Sequence, residues 1–187
     1  VEVSNYLMKN YDEFYNNQSE TNKYSFQILS GYFYRYIKND KRALMRFISA
    51  RANSYHWSRE IVSYEDMIRD HSLLFEIFEI YLLEKNNEKA RDYLDIYIRQ
   101  YENLDEGLKK NKSFVRFDKD IFLEIKRKSL DMKRRLLFCE SKHEESELVL
   151  DEMLALEEKK PYYGKFNLSM LKFGSQVSQK KYSNDVF

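Results

Sequence analysis

Glu140-Ser141-Lys142-His143 sets a carboxylate and an imidazole three residues apart, the separation at which two ligands on one helix face can reach a single metal ion. Asp66 with Asp70, and Glu76 with Glu79, are carboxylate pairs spaced to share a helix face, as a general acid and its base would be. His71 falls between Met67 and Leu74, and Cys139 shares a face with Met132 and Leu136. Those surroundings suit a hydrogen-bonded core imidazole and a buried thiol that behaves as a small hydrophobe. A carboxylate-bridged two-metal centre would need a second Glu-x-x-His and two further inward carboxylates, and the sequence has one such motif, at a predicted helix end. The single Cys excludes an all-cysteine metal site and an internal disulfide framework. No phosphate-cradling glycine loop, serine elbow or zinc-protease helix is present. The carboxylate pairs are more simply solvated faces or partners for Lys and Arg in a chain with 34% charged residues. The sequence therefore predicts no catalytic residue, no metal and no cofactor.

The elements that would position these residues are helices. With 4 Gly and 1 Pro among 187 residues, turn signals are too few for a sandwich or a barrel. From 64 to 85, Met67, His71, Leu74, Phe75, Phe78, Tyr81 and Leu82 recur at three- and four-residue intervals, which predicts one helix with one buried stripe. It should stop at Asn86-Asn87, with Asn87 capping a second helix whose stripe is Ala90, Leu94, Tyr97, Ile98, Tyr101 and Leu104. Upstream, Phe26, Leu29, Phe33, Tyr36 and Ile37 predict another stripe, leading through Asn39-Asp40 to Ala43, Leu44, Phe47 and Ile48. A shift of 47 positions carries Tyr34 onto Tyr81, Lys38 onto Lys85, Asn39 onto Asn86 and Ala43 onto Ala90. Downstream, a helix over 121–140 carries Ile125, Met132, Leu136 and Cys139, and the next carries Ser146, Val149, Leu150 and Met153. A first helix over 4–15, a polar connection over 106–119 and a last helix after Pro161 complete the expectation. The predicted fold is all-α, stacked antiparallel helical hairpins in an α-solenoid or a bundle derived from it, with about eight helices in a single domain spanning 1–187.

Leu82-Leu83-Glu84-Lys85-Asn86-Asn87-Glu88-Lys89-Ala90-Arg91-Asp92-Tyr93-Leu94 resembles the turn and second helix of a tetratricopeptide-type repeat, with its small residue after the turn and its aromatic-rich helix. The resemblance implies a scaffold that binds peptides or proteins. In size and all-helical style the chain also resembles the immunity proteins of bacterial polymorphic toxin systems, which implies an antitoxin-type inhibitor of a cognate toxin.

Charge narrows the choice of partner. Lys plus Arg number 32 and Asp plus Glu 31, so no global field draws the chain to nucleic acid or to an anionic membrane. Locally the signs separate. Residues 109–135 carry eleven basic and four acidic side chains, whereas 140–158 carry eight acids and one Lys. Two antiparallel helices with such faces should be joined partly by opposite charges, and any acidic surface left over, with Glu144, Glu145, Glu147, Asp151 and Glu152, would suit a basic protein. The chain as a whole is near neutral, so nucleic acid is not an expected partner.

Aromatic residues make up 16% of the chain, with 16 Tyr and 13 Phe, and Tyr55, His56, Trp57 and Arg59 gather residue types that anchor protein interfaces. The longest apolar stretch, 72–83, is interrupted by Glu76 and Glu79 and is too short to cross a bilayer. With no secretory leader read at the start and one Cys, the cytoplasm is the expected location. The expected function is non-enzymatic binding of another protein, a toxin domain or a peptide, by an immunity-type inhibitor or, as an alternative, an adaptor; a helical enzyme, metal or RNA-binding protein is the further alternative.

Overall fold

The computed structural model describes residues 20–57, 64–110 and 119–159, with side chains placed over 23–53, 69–102 and 122–157. Every element among the described residues is an α-helix: α1 (Glu20–Tyr36), α2 (Asp40–Trp57), α3 (Tyr64–Leu83), α4 (Asn87–Lys110), α5 (Lys119–Cys139) and α6 (His143–Lys159). The helices expected over 4–15 and after Pro161 lie outside the described residues. The polar connection expected from 106 begins later, because α4 continues to Lys110. The chain divides into two compact units, Val1–Ile80 and Tyr81–Phe187.

Three turns share one construction. α1 ends where Lys38 takes a left-handed backbone (φ 56°), α3 where Lys85 does (φ 59°) and α5 where Ser141 does (φ 62°). At each, the next amide reaches back five residues: Asn39 N to Tyr34 O at 2.8 Å, Asn86 N to Tyr81 O at 2.9 Å, Lys142 N to Leu137 O at 2.9 Å. The left-handed residue itself donates three residues back, to Arg35, Leu82 and Phe138. This paired pattern satisfies carbonyls that a helix end leaves open. The following helix then starts on the carbonyl of Asn39, Asn86 or Lys142, which accepts from Ala43, Ala90 or Ser146. Each of those three small residues is buried, where a larger side chain would hold the paired helices apart.

The cap is Asn86 and not Asn87. Asn86 Oδ1 accepts the Lys89 amide at 3.2 Å, as Asn39 Oδ1 accepts that of Arg42 at 3.3 Å. Asn87 already lies within α4, so its side chain is one position too late to meet the open third amide. Asn86→Ala is expected to lower stability by about 1 kcal/mol, seen as a reduced urea midpoint with an unchanged slope.

In the first unit, α1 and α2 pack as a hairpin. α2 buries Ala43, Phe47 and Ala50. α1 buries Tyr24, Gln27, Ser30, Gly31 and Tyr34, not the predicted stripe. Leu29, Tyr36 and Ile37 face outward, and Phe26 and Phe33 are only half-buried. The cause is close packing at Gly31, where an added Cβ would lie 2.7 Å from Cδ1 of Phe47 and nearer still to Cε1. Arg46 donates to the buried Gln27 side chain at 3.4 Å, which compensates that polar group. In α3 no residue from 71 to 82 is exposed, and His71, Leu73, Leu74, Ile77, Phe78 and Ile80 are buried, the continuous apolar pattern of an enclosed helix.

In the second unit, α5 packs against both α4 and α6. Tyr101 of α4 stacks on Phe122 of α5, their centroids 4.6 Å apart. Between α5 and α6 lies a core of Leu130, Leu137, Val149, Leu150 and Met153. Ser146 Oγ donates to the Arg134 carbonyl at 3.2 Å across the same hairpin. The predicted joining of opposite charges is present here: Lys126 lies 3.7 Å from Glu152, and Arg127 Nε lies 3.4 Å from Glu157 Oε1. The second pair is almost wholly buried, with side-chain exposures of 3% and 1%.

Candidate interaction surfaces

The residues that could have done chemistry are occupied with structure. His71 is buried in α3. Asp70 takes Arg51 at 3.0 Å, and Glu76 takes Arg35 at 3.7 Å; the Asp66 side chain is outside the described set. Cys139 is exposed, contrary to its predicted place in the core. Leu136 and Met132 are buried one and two turns earlier, but Cys139 is the last residue of α5 and the chain turns away there before α6 can cover it.

Glu140 and His143 do not share a helix face, because α5 has ended and the left-handed Ser141 stands between them. The His143 ring instead packs edge-on against Phe138, with centroids 5.0 Å apart. The Glu140 carboxylate accepts from Arg91 of α4 through both oxygens, and Lys142 Nζ stands 3.2 Å from Oε2. Among the described residues, no three His, Cys, Asp or Glu side chains are grouped to hold a metal.

Partial burial would push the Glu140 carboxyl up, but hydrogen bonds and charge from Arg91 and Lys142 outweigh it and hold the group below its ordinary value. With the folded value the lower one, the contact stabilises the fold above the ordinary carboxylate range and is lost as pH falls through the folded value. Arg91 is 43% exposed, so solvent screening limits the effect to about 1 kcal/mol or less. The stability difference between the native chain and Glu140→Gln should be present in urea melts at pH 7 and should close below about pH 4.

Among the described residues, the outer sides of α1 and α6 are two of the surfaces that carry apolar side chains into solvent. The first is the face of α1 that the sequence pattern assigned to the core. Leu29 is 68% exposed and Tyr36 86%, with Tyr32 and Ile37 also exposed and Phe33 half-covered. Spacings of three and four residues place these side chains on one side of the helix. Burial and the nearby Glu76 carboxylate raise the Tyr32 hydroxyl's pKa, so it stays protonated and remains a hydrogen-bond donor. The sequence shows that these side chains share one side of a helix, but periodicity alone does not say that this side faces away from the core.

The second is the outer side of α6. Glu144, Glu145, Asp151 and Glu152 are exposed and Glu147 is half-exposed, around Leu148, which is 69% exposed. Glu152 is drawn toward Lys126. Tyr55, His56 and Trp57 occupy the last turn of α2, with side chains outside the described set, and Arg59 is outside it altogether. No helix among the described residues is long and apolar enough to cross a membrane. Comparison with known proteins gives no matching family model, no matching curated protein and no matching solved structure.

Proposed function

We propose that this chain acts by binding another protein, as an inhibitor of the immunity or antitoxin kind that covers the active site of a cognate toxin in the cytoplasm. The observation that carries the reading is the outward apolar face of α1, with Leu29, Tyr32, Tyr36 and Ile37. A folded chain places such a stripe in solvent at a cost of roughly 25 cal/mol for each Å² of apolar surface that a partner would cover. Tyr contributes a wide, stiff contact with a polar tip, the chemistry that anchors interfaces. The acidic outer side of α6, with Glu144, Glu145, Glu147, Asp151 and Glu152, would steer a basic toxin toward the complex. Tyr55, His56, Trp57 and Arg59 would extend the contact.

A tetratricopeptide-like adaptor is the second reading, and what favours it is the common construction of the turns at Lys38, Lys85 and Ser141. Affinity capture from the native host, followed by assay of the captured protein, separates the two. One stoichiometric protein whose activity the native chain inhibits, and which Leu29→Asp/Tyr36→Asp no longer inhibits, is the expected result. Several proteins sharing a short segment would favour the adaptor. Inhibition that survives the double substitution would overturn the place given to α1.

A further inference from the structure

We propose that the chain associates with a second copy of itself by laying the outer face at the start of α2 against the outer face at the start of a neighbour's α6. Both helices follow the same left-handed turn and begin on the same carbonyl pattern. A shift of 103 positions therefore matches four of the exposed positions on their surfaces, Lys41 with Glu144, Arg42 with Glu145, Met45 with Leu148 and Ala52 with Ala155, while the exposed pair Ile48 and Asp151 is not complementary. All eight residues of the four matched pairs are exposed. The charges are opposite at the first two positions. At the third, both surfaces carry an unbranched or γ-branched apolar side chain more than half in solvent, Met45 at 62% and Leu148 at 69%. At the fourth, both carry a methyl group small enough to let two helices approach closely.

Neighbouring groups sharpen the contrast in sign. Asp40, the one acid between 36 and 45, is held by Arg35 at 2.9 Å, so the first surface presents Lys38, Lys41 and Arg42. The third turn leads into Glu144, Glu145 and Asp151 with no basic residue between 143 and 158. The intermediate turn, built identically, has Glu88, Lys89 and Asp92 at the corresponding places, and Lys89 pairs with Asp92 at 3.2 Å. Of three equivalent surfaces, the middle one is neutralised locally, whereas the first is predominantly basic and the third predominantly acidic around an apolar anchor. Since every copy carries one of each, either surface of one copy finds its complement on a second copy. This contact does not involve α1, but it uses Glu144 and Glu145, to which the proposed function gives the steering of a basic partner, so the two roles of α6 would compete.

The test is sedimentation of the full chain at about 0.1 mM, where small, charge-steered contacts become populated, at low salt and again at 0.5 M added NaCl as the screening control. Association at low salt that weakens with salt is expected. Lys41→Glu/Arg42→Glu should weaken it by about ten-fold or more, and Glu144→Lys/Glu145→Lys likewise. Mixing those two variants should restore association, as should placing all four substitutions in one chain. Circular dichroism confirms folding of each variant, and restoration in the mixture shows that neither lost association by unfolding. A native chain that remains monomeric at low salt, or variants that fail to restore association together, would overturn the proposal.

Discussion

Arg127→Met is expected to lower the stability of the 81–187 unit by about 3–5 kcal/mol, because it leaves the Glu157 carboxylate buried without the guanidinium that faces it. Met retains most of the packing of the Arg stem, so the loss reports the charge and not a cavity. Adding Glu157→Leu should recover most of it. An apolar pair of similar volume has no ion to desolvate, and such replacements are commonly neutral or stabilising. Urea melts of both single variants and the double variant give the coupling directly. A double variant whose loss equals the sum of the two single losses would show that the pair is not coupled. The pair also accounts for part of the charge segregation: one basic and one acidic side chain from opposite runs are taken out of solvent where α5 and α6 meet, and Lys126 with Glu152 joins the same helices at the rim.

Gly31→Ala should lower stability by about 1–3 kcal/mol, even though Ala is intrinsically the better helix residue by about 1 kcal/mol. The added methyl would lie 2.7 Å from Phe47 Cδ1, and Phe47 is fully buried with its ring edge against Tyr32 at a centroid distance of 5.2 Å. The ring cannot withdraw without moving its neighbours. Phe47→Leu placed on the Gly31→Ala background should recover part of the loss by removing the atoms that clash. The 47-residue shift gives this rescue a precedent, since it carries Gly31 onto Phe78 and Phe47 onto Leu94: where the first hairpin has Gly and a ring, the corresponding positions have a ring and Leu. A Gly31→Ala chain that melts higher than the native one would mean that α1 and α2 do not pack this closely in solution.

These two predictions mark where the sequence could and could not be read. The turns were legible because they depend on a few adjacent residues. Lys38, Lys85 and Ser141 precede the new helix at the places where the chain must reverse, and the 47-residue shift found the first two. The third copy differs in its cap position, Lys142, which has no side-chain acceptor, yet the backbone closes in the same way. The one-residue error between Asn86 and Asn87 arose because two adjacent Asn residues offer the same acceptor, and only the path of the chain decides which one faces the Lys89 amide.

The acidic side of the candidate surface was also legible. On α6, Ser146, Val149, Leu150 and Met153 are buried as the period requires, which leaves Glu144, Glu145, Asp151 and Glu152 outward. The α1 surface was not. Its outer face carries Leu29, Tyr32 and Tyr36, and its inner face carries Tyr24, Gln27, Ser30, Gly31 and Tyr34, so the more apolar side of the helix is the one left in solvent.

Sequence alone gives the helical class, the turns before α2 and α4 and the inward residues of α6, because each follows from local backbone preference or from a single dominant apolar stripe; α3 buries more than its one expected stripe, since Leu73, Ile77 and Ile80 are inward as well. The tertiary structure alone decided that α1 turns its small face inward, that Cys139 lies outside, and that Arg127 meets Glu157. Periodicity fixes which residues share a side of a helix, but where both sides can pack, the choice belongs to the neighbouring helix. On α1 the close approach of Phe47 to Gly31 outweighed the larger apolar area of the opposite face.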